Sequence, residues 1–195
     1  RNPRLAPPKL VPVDQQPDTL AVVLTDFNET LRPTYAVPAP PGDEYPWLLL
    51  VAELPDGTPL DEPPDEAGRK WHASPQLRLE RLLRETGVPI GVLSNRRLLR
   101  LVYAPRGESS GHVSWPVHRL VTTLDRDMLS ALVMLLGNAR LFTLPTEQRL
   151  PHILRESRKY QNVVSNQLAH QVLEALNELL RGFQAANEAT HGSLL

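Results

Sequence analysis

Residues 86–110 read TGVPIGVLSNRRLLRLVYAPRGESS and contain the pattern that decides the fold. Two apolar runs, residues 90–93 and 98–103, are short and rich in side chains that favour strands. The polar residues 94–96 lie between the two runs and predict a turn. The stretch therefore predicts two buried strands joined by a turn, with arginines crowding the turn and the strand that follows it.

The sequence on either side supplies the rest of a small sheet. Residues 47–54, WLLLVAEL, are nearly all apolar, which is typical of a strand buried on both faces. A helix follows, because Ser74 is a favoured cap, Pro75 suits the first turn and Gly87 suits the end. Residues 112–117 predict a third strand after the opening pair. This order predicts the α/β class, as a small mixed sheet layered with one helix.

The N-terminal region is dominated by proline, with fourteen of the twenty prolines in residues 1–64. Proline removes backbone donors and favours extended chain, so residues 1–18 predict a proline-rich arm. Residues 19–26 suit either a strand or a short helix, and residues 31–38 suit a short edge strand. The predicted α/β domain spans residues 19–124.

From residue 125 the pattern becomes helical. Asp125 or Asp127 caps a short apolar helix, and residues 150–160 predict another. Ser165 is predicted to cap the longest helix, which continues to about residue 186. Its apolar positions keep a helical spacing: Leu168, Val172, Leu176, Leu179 and Phe183. Residues 125–195 are therefore predicted to form a helical subdomain.

Charge is unevenly distributed along the chain. The net charge is −1, but residues 69–106 hold nine basic and two acidic residues, while residues 1–68 hold four basic and twelve acidic ones. A local excess of this kind predicts either a basic patch that binds a polyanion or a solvated face next to an acidic region.

Cysteine is absent, which excludes disulfides, thiolate metal sites and cysteine nucleophiles. No apolar run approaches the length of a membrane span, and the first residues lack the apolar core of a signal peptide. We therefore expect a cytoplasmic protein without a membrane partner. The chain does not start with Met, which is consistent with a fragment of a longer polypeptide.

No residue set predicts a catalytic centre. The six histidines are scattered without a metal-ligand spacing, and no glycine-rich phosphate loop is present. Magnesium nucleases place an aspartate on one strand and Glu-x-Lys on the next. Here Thr34 occupies the first position, and Glu53-Leu54-Pro55 replaces the second motif, so neither a catalytic residue nor a metal ligand is assigned.

The arginine-rich turn is the strongest candidate site, because the planar guanidinium suits phosphate oxygens. A second basic group lies near residue 158. Trp71, Trp115 and Tyr103 are either stacking surfaces or core residues, and core packing explains them better. The predicted nucleic-acid-binding residues are Lys70, Arg96, Arg97, Arg100, Arg106, Arg158 and Lys159.

A family resemblance extends this interpretation. The segments ERLLRETGVPIGVLSN, RLVYAPRGESSG and ESRKYQNVVSNQLAHQVLEAL resemble the N-terminal region of large bacterial adenine-specific DNA methylases. These are the Eco57I-like, type IIG-like proteins of restriction-modification and phage-defence systems, including the DISARM methylase group. The resemblance covers roughly the last 125 residues and is weak before Trp47.

The resemblance implies a degenerate PD-(D/E)xK nuclease-like fold followed by helices that lead to a methylase domain. That domain would bind S-adenosylmethionine and flip the target adenine with an Asn-Pro-Pro-Tyr motif, which this sequence lacks. No cofactor is expected in the fragment itself. DNA, the methylase domain and other defence-system subunits are the implied partners.

Three functions stay open on the sequence alone. The first is a non-methylase module that contributes DNA contacts or inter-domain packing. The second is a magnesium-dependent endonuclease that uses Glu53 with Asp43, Glu44 or Asp56. The third is a protein-interaction scaffold that binds a partner through the apolar stripe of the helix at 165–186.

Overall fold

The computed structural model describes residues 9–43, 45–64, 71–122 and 125–189. The chain divides into two compact units, Arg1–His152 and Ile153–Leu195. The sequence predicts a boundary between residues 124 and 125 instead, so the first unit extends beyond the predicted α/β domain.

A mixed sheet forms the centre of the first unit, as predicted for the α/β class. Its spatial order is β1 (Val11–Pro12), β4 (Tyr35–Pro38), β5 (Trp47–Glu53), β6 (Ile90–Ser94), β7 (Leu98–Tyr103) and β8 (Gly111–Pro116). Two further strands, β2 (Val22–Leu24) and β3 (Glu29–Leu31), pair only with each other. Neighbours in the large sheet are antiparallel except β5 and β6, which are parallel.

Helix α1 (Pro75–Thr86) makes the crossover that a parallel strand pair requires. The Ser74 hydroxyl accepts a hydrogen bond from the Leu77 N–H at 3.3 Å, and Gly87 ends the helix in the left-handed conformation. The helix lies close to β6, because a Cβ on Gly91 would be 3.0 Å from the Leu79 side chain. The predicted helix and its two ends are confirmed.

The core lies between α1 and the sheet. Buried side chains of α1 pack there with residues of β4 to β7 and with the β2–β3 hairpin: Leu20, Leu24, Leu31, Ala36, Leu50, Leu60, Leu79, Leu82, Leu83, Val88, Leu93, Val102 and Ala104. Fully burying one such leucine contributes about 1.5–3 kcal/mol, so this cluster is the main source of stability. A second set of side chains, including Trp115, Leu141 and Leu150, is also buried.

Part of the predicted proline-rich arm belongs to the folded first unit, and its residues 1–8 lie outside the described residues. Val11 and Pro12 pair with Ala36 and Tyr35, which makes them an edge strand of the sheet. Gln16 is buried, and its amide donates hydrogen bonds to the carbonyls of Val11 and Pro33 at 3.0 and 3.3 Å. Residues 11–18 are therefore built into the first unit. Residues 19–26 combine both predicted alternatives, since 3₁₀ turns flank β2.

Among the described residues, α1 is followed by three further α-helices, which are α2 (Val117–Thr122), α3 (Arg126–Leu136) and α4 (Leu150–Ala189). Asp125 caps α3 by accepting a hydrogen bond from the Met128 N–H at 3.2 Å, which decides between the two predicted caps. The prediction of separate helices at 150–160 and 165–186 is wrong, because α4 is continuous through Ser165. No helix in the described ranges is long and apolar enough to cross a membrane.

Candidate nucleic-acid interface

The arginine-rich turn between β6 and β7 is organised by Asn95. The buried Asn95 side chain accepts hydrogen bonds from the N–H groups of Arg97 and Leu98, at 3.1 and 2.7 Å. Its amide donates to the Thr58 carbonyl at 2.8 Å, which fixes the turn to the loop after β5. Asparagine forms such side-chain turns readily, so this residue sets the direction in which the following arginines leave the sheet.

Arg96 and Arg97 extend from this turn into solvent. Arg96 has the left-handed backbone conformation, with φ of 67°. The two side chains are 72% and 70% exposed. Their guanidinium groups are therefore accessible to a partner outside the chain.

Two carboxylates neutralise this pair. Asp56 accepts hydrogen bonds from Arg97 Nε and Nη2, at 3.2 and 3.1 Å. Glu53 lies 3.9 Å from Arg96 Nε. The hydrogen bond from Arg97 lowers the pKa of Asp56 and raises the pKa of Arg97. Two acidic side chains thus face two basic ones at this turn, and a phosphate must compete with the two carboxylates.

Arg100 is not part of an accessible patch, which corrects the sequence prediction. Its side chain is only 6% exposed and binds Asp61 through two hydrogen bonds of 2.5 and 2.9 Å. It also donates to Ser114 Oγ at 2.8 Å and Gln76 Oε1 at 3.2 Å. The hydrogen bonds from Arg100 lower the pKa of Asp61. Arg100 is thus a structural residue that joins β7, β8, α1 and the loop after β5.

Arg106 also has a structural role. Its guanidinium donates to the carbonyls of Arg84 and Glu85, the latter at 2.5 Å, at the end of α1. A cation at this position satisfies carbonyls that lack a helical partner and interacts favourably with the helix dipole. The side chain is exposed at the surface, but these two bonds direct it towards the helix and not outward.

Of the remaining predicted basic residues, two lie in the second unit and one lies outside the described residues. Arg158 and Lys159 belong to the second unit, and Lys159 pairs with Glu156 of the same helix at 2.7 Å. Lys70 lies outside the described residues. The described candidate interface therefore consists of Arg96 and Arg97.

The aromatic side chains are packing residues. Trp115 and Tyr103 are buried. Trp71 stacks on Phe27 with ring centroids 5.6 Å apart, and the Arg78 guanidinium lies 5.1 Å from the Trp71 ring. Core packing explains all three predicted aromatics, and none offers an open face to a nucleic-acid base beside the turn.

The positions that a magnesium nuclease would use lie next to each other. The Glu53 N–H donates to Thr34 Oγ1 at 2.9 Å, so the two motif positions are adjacent across the end of β5. Thr34 supplies no carboxylate, however, and Pro55 supplies no ammonium group. Among the residues that the structure describes, no three His, Asp or Glu side chains are grouped to hold a metal ion.

The predicted alternative ligands are distributed differently. Asp43 pairs with Arg149 in the hairpin turn before β5, whereas Glu53 ends that strand. A seven-residue strand spans roughly 20 Å, so Asp43 and Glu53 do not share a metal site. Asp56 is close to the turn but is bound to Arg97, and Glu44 lies outside the described residues.

Comparisons with known proteins add no identification: no family model, no curated protein and no solved structure matches this chain.

The geometry also shows residues that sequence reasoning missed, namely Asn95, Asp61 and Gln76. Asn95 carries a readable signal, because an asparagine directly after a strand is typical of a side-chain turn. Asp61 and Gln76 carry none, since their role depends on the position of Arg100.

Proposed function

We propose that this chain is the N-terminal, non-methylase module of a bacterial adenine-specific DNA methyltransferase from a restriction-modification or phage-defence system. In this proposal the module contributes contacts to the DNA backbone and packing against the methylase domain, and that domain would hold S-adenosylmethionine. The three sequence segments quoted above support it. So does the strand order, in which the pair β6–β7 follows β5 with Glu53, as in a degenerate nuclease-like sheet.

The observation that carries the DNA contact is the exposed pair Arg96 and Arg97 on a rigid turn. Exposed ion pairs contribute little to stability, so a DNA phosphate can replace Asp56 or Glu53 as the partner at small cost. Arginine binds phosphate through two parallel hydrogen bonds. Such contacts add affinity without sequence information, which suits a module that assists a separate recognition domain.

A duplex-DNA binding titration at several salt concentrations tests this role. Replacing both arginines, as Arg96→Gln with Arg97→Gln, is expected to weaken binding and to reduce the slope of log K against log salt by about 2, because each phosphate contact contributes about 0.9. Arg81→Gln is the matched control. Arg81 is another exposed arginine paired with a carboxylate, Glu85 at 3.0 Å, but it lies on α1.

The carboxylates provide the opposite test. Glu53→Gln with Asp56→Asn removes the groups that neutralise the turn, so we expect tighter DNA binding and a steeper salt dependence. The proposal is contradicted if the wild-type chain does not bind duplex DNA at low salt. It is also contradicted if neither pair of substitutions changes the titration relative to Arg81→Gln.

A magnesium-dependent endonuclease is the second candidate, and the adjacency of Thr34 and Glu53 is the observation that favours it. With Mg²⁺ or Mn²⁺ and supercoiled plasmid, this candidate predicts nicking that Glu53→Gln abolishes. Nicking that persists in Glu53→Gln, or no nicking at all, contradicts this candidate.

A further inference from the structure

Helix α4 carries a long row of exposed apolar side chains. The row repeats at intervals of three or four residues and comprises Val164, Leu168, Val172, Ala175, Leu179 and Phe183. Its five larger members are 54% to 68% exposed. Leu173, Leu176 and Leu180 widen the row on one side and are exposed to a similar degree. Positions three and four apart lie on one helix face, so these side chains form a continuous surface.

A surface of this size is unusual for a face that stays in water. The eight larger side chains expose roughly 100 Å² each, or on the order of 800 Å² together. The row and Leu176 face one direction and supply roughly 600 Å² of this area, near the lower end of one partner's share of a standard protein interface. Monomeric proteins seldom expose contiguous apolar patches larger than about 300–600 Å². A second protein surface is therefore needed to bury this face.

The row is symmetric about its own centre. Successive intervals are four, four, three, four and four residues, so the spacing is the same in both chain directions. A two-fold antiparallel pair of identical helices needs this property, because each residue must meet the mirror position of its partner. Centred between Leu173 and Glu174, such a pair sets Leu168 beside Leu179 of the second copy, and Val164 beside Phe183.

The charges of α4 favour the same arrangement. Before its centre the helix carries three basic residues and one acidic residue, and after the centre it carries one basic and three acidic residues. Antiparallel packing brings the positive half of each helix beside the negative half of the other, whereas parallel packing brings like charges together. Glu174 and Arg181 lie away from the row on the helix, and Glu178 lies at its edge beside Ala175, where its carboxylate can stay in water.

We propose that the apolar face of α4 is a homodimer interface, in which two copies of this chain pair their helices antiparallel around the point between Leu173 and Glu174. This inference rests on α4 alone. It does not depend on DNA binding or on the proposed methylase.

Light scattering coupled to size exclusion, over a concentration series of the full chain, tests the assembly. We expect a mass of twice 21.9 kDa at high concentration. Leu176→Asp with Leu179→Asp is expected to give a monomer, because it places charges in the middle of the face. The matched control is Val133→Asp on α3, which is 61% exposed and is expected to leave the dimer intact. Circular dichroism confirms that each variant is folded.

Disulfide trapping tests the orientation, because the chain has no cysteine of its own. Val172→Cys lies near the two-fold axis and is expected to cross-link to its own copy. Leu168→Cys is not, since the two Leu168 positions are roughly 16 Å apart in the antiparallel pair. A mixture of Leu168→Cys and Leu179→Cys chains is expected to form mixed disulfides.

Three outcomes overturn the proposal. A chain that is monomeric at every concentration, with its α4 face accessible to a hydrophobic dye, shows that a different protein or domain covers this face, as in the scaffold function left open by the sequence. Efficient cross-linking of Leu168→Cys to itself shows parallel packing. A dimer mass that Leu176→Asp with Leu179→Asp does not change also overturns it, because the contact then lies elsewhere.

Discussion

Arg97 and Arg100 lie three residues apart in the sequence, and each binds an aspartate through two hydrogen bonds. They differ in exposure and in the number of further side chains that they bind. Arg97 is 70% exposed, and among the described residues its side chain binds Asp56 alone, whereas Arg100 is 6% exposed and also binds Ser114 and Gln76. At the turn, arginine forms an exposed ion pair in which a ligand can replace the carboxylate. Within the sheet, the same residue type forms a buried set of hydrogen bonds that connects several elements.

The difference shows that the number of partners determines whether an arginine is available for a ligand. A phosphate that approached Arg100 would have to compete with three side chains inside the protein. At Arg97 it competes with one exposed carboxylate, Asp56. Three predictions test this contrast within the first unit.

The largest expected effect belongs to Arg100→Met. This substitution keeps the bulk of the stem but leaves Gln76 and Ser114 without their shared donor, so the free energy of unfolding is expected to fall by about 2–4 kcal/mol. Urea denaturation measures it. The paired variant Arg97→Met is expected to show no resolvable change, and equal destabilisation by the two substitutions would contradict the contrast.

An intermediate effect is expected at Asn95. Replacing it as Asn95→Ala removes the acceptor of two backbone N–H groups and the donor to Thr58, at a cost of about 1–3 kcal/mol. The turn should also lose its fixed geometry, so DNA affinity is expected to fall although both arginines are present. Asn95→Asp restores the acceptor but not the donor, and should recover part of the stability. Full stability in Asn95→Ala would show that the backbone alone holds the turn.

The smallest effect is the dependence of stability on acid. Arg100 lowers the folded-state pKa of Asp61, so this pair contributes stability that is fully present above the unfolded-state pKa, about 3.9. The contribution is lost as the pH falls from there through the folded-state pKa. Urea midpoints between pH 5 and pH 2 should therefore decline less in Asp61→Asn than in the wild-type chain. Parallel declines would show that the pair contributes no proton linkage.

The central part of the fold could be predicted from the sequence because its signals are local. Residues 90–93 and 98–103, the Ser74 cap and the Gly87 end all depend on neighbours within a few positions. Strand β1 could not be predicted, because its two residues become a strand only through Tyr35 and Ala36. The predicted helix start at Ser165 is wrong because there the local signal is misleading. A residue that favours helix caps can also lie inside a helix where no proline or glycine interrupts the sequence.

The candidate site was only half predictable. Residue type and sequence neighbourhood identified Arg96 and Arg97 and also indicated Arg100 and Arg106. The period of a strand could have separated them, because Arg100 lies two positions from the fully buried Val102 and therefore on the same face of β7. Nothing local indicates that Arg106 caps α1, since that contact depends on how the chain returns to the helix end.

The single parallel pair, β5–β6, has a consequence for the order of folding. It joins two antiparallel sets, β1-β4-β5 and β6-β7-β8, and aligns Leu50 with Gly91, forty-one positions later in the chain. The hairpins on either side close short loops, whereas this alignment must close a long one, which costs more chain entropy. We expect the two sets to form early and to join late, once α1 has packed over Gly91. Amide hydrogen exchange during refolding should therefore show protection of the amides that link β6 to β7 before protection of those that link β5 to β6.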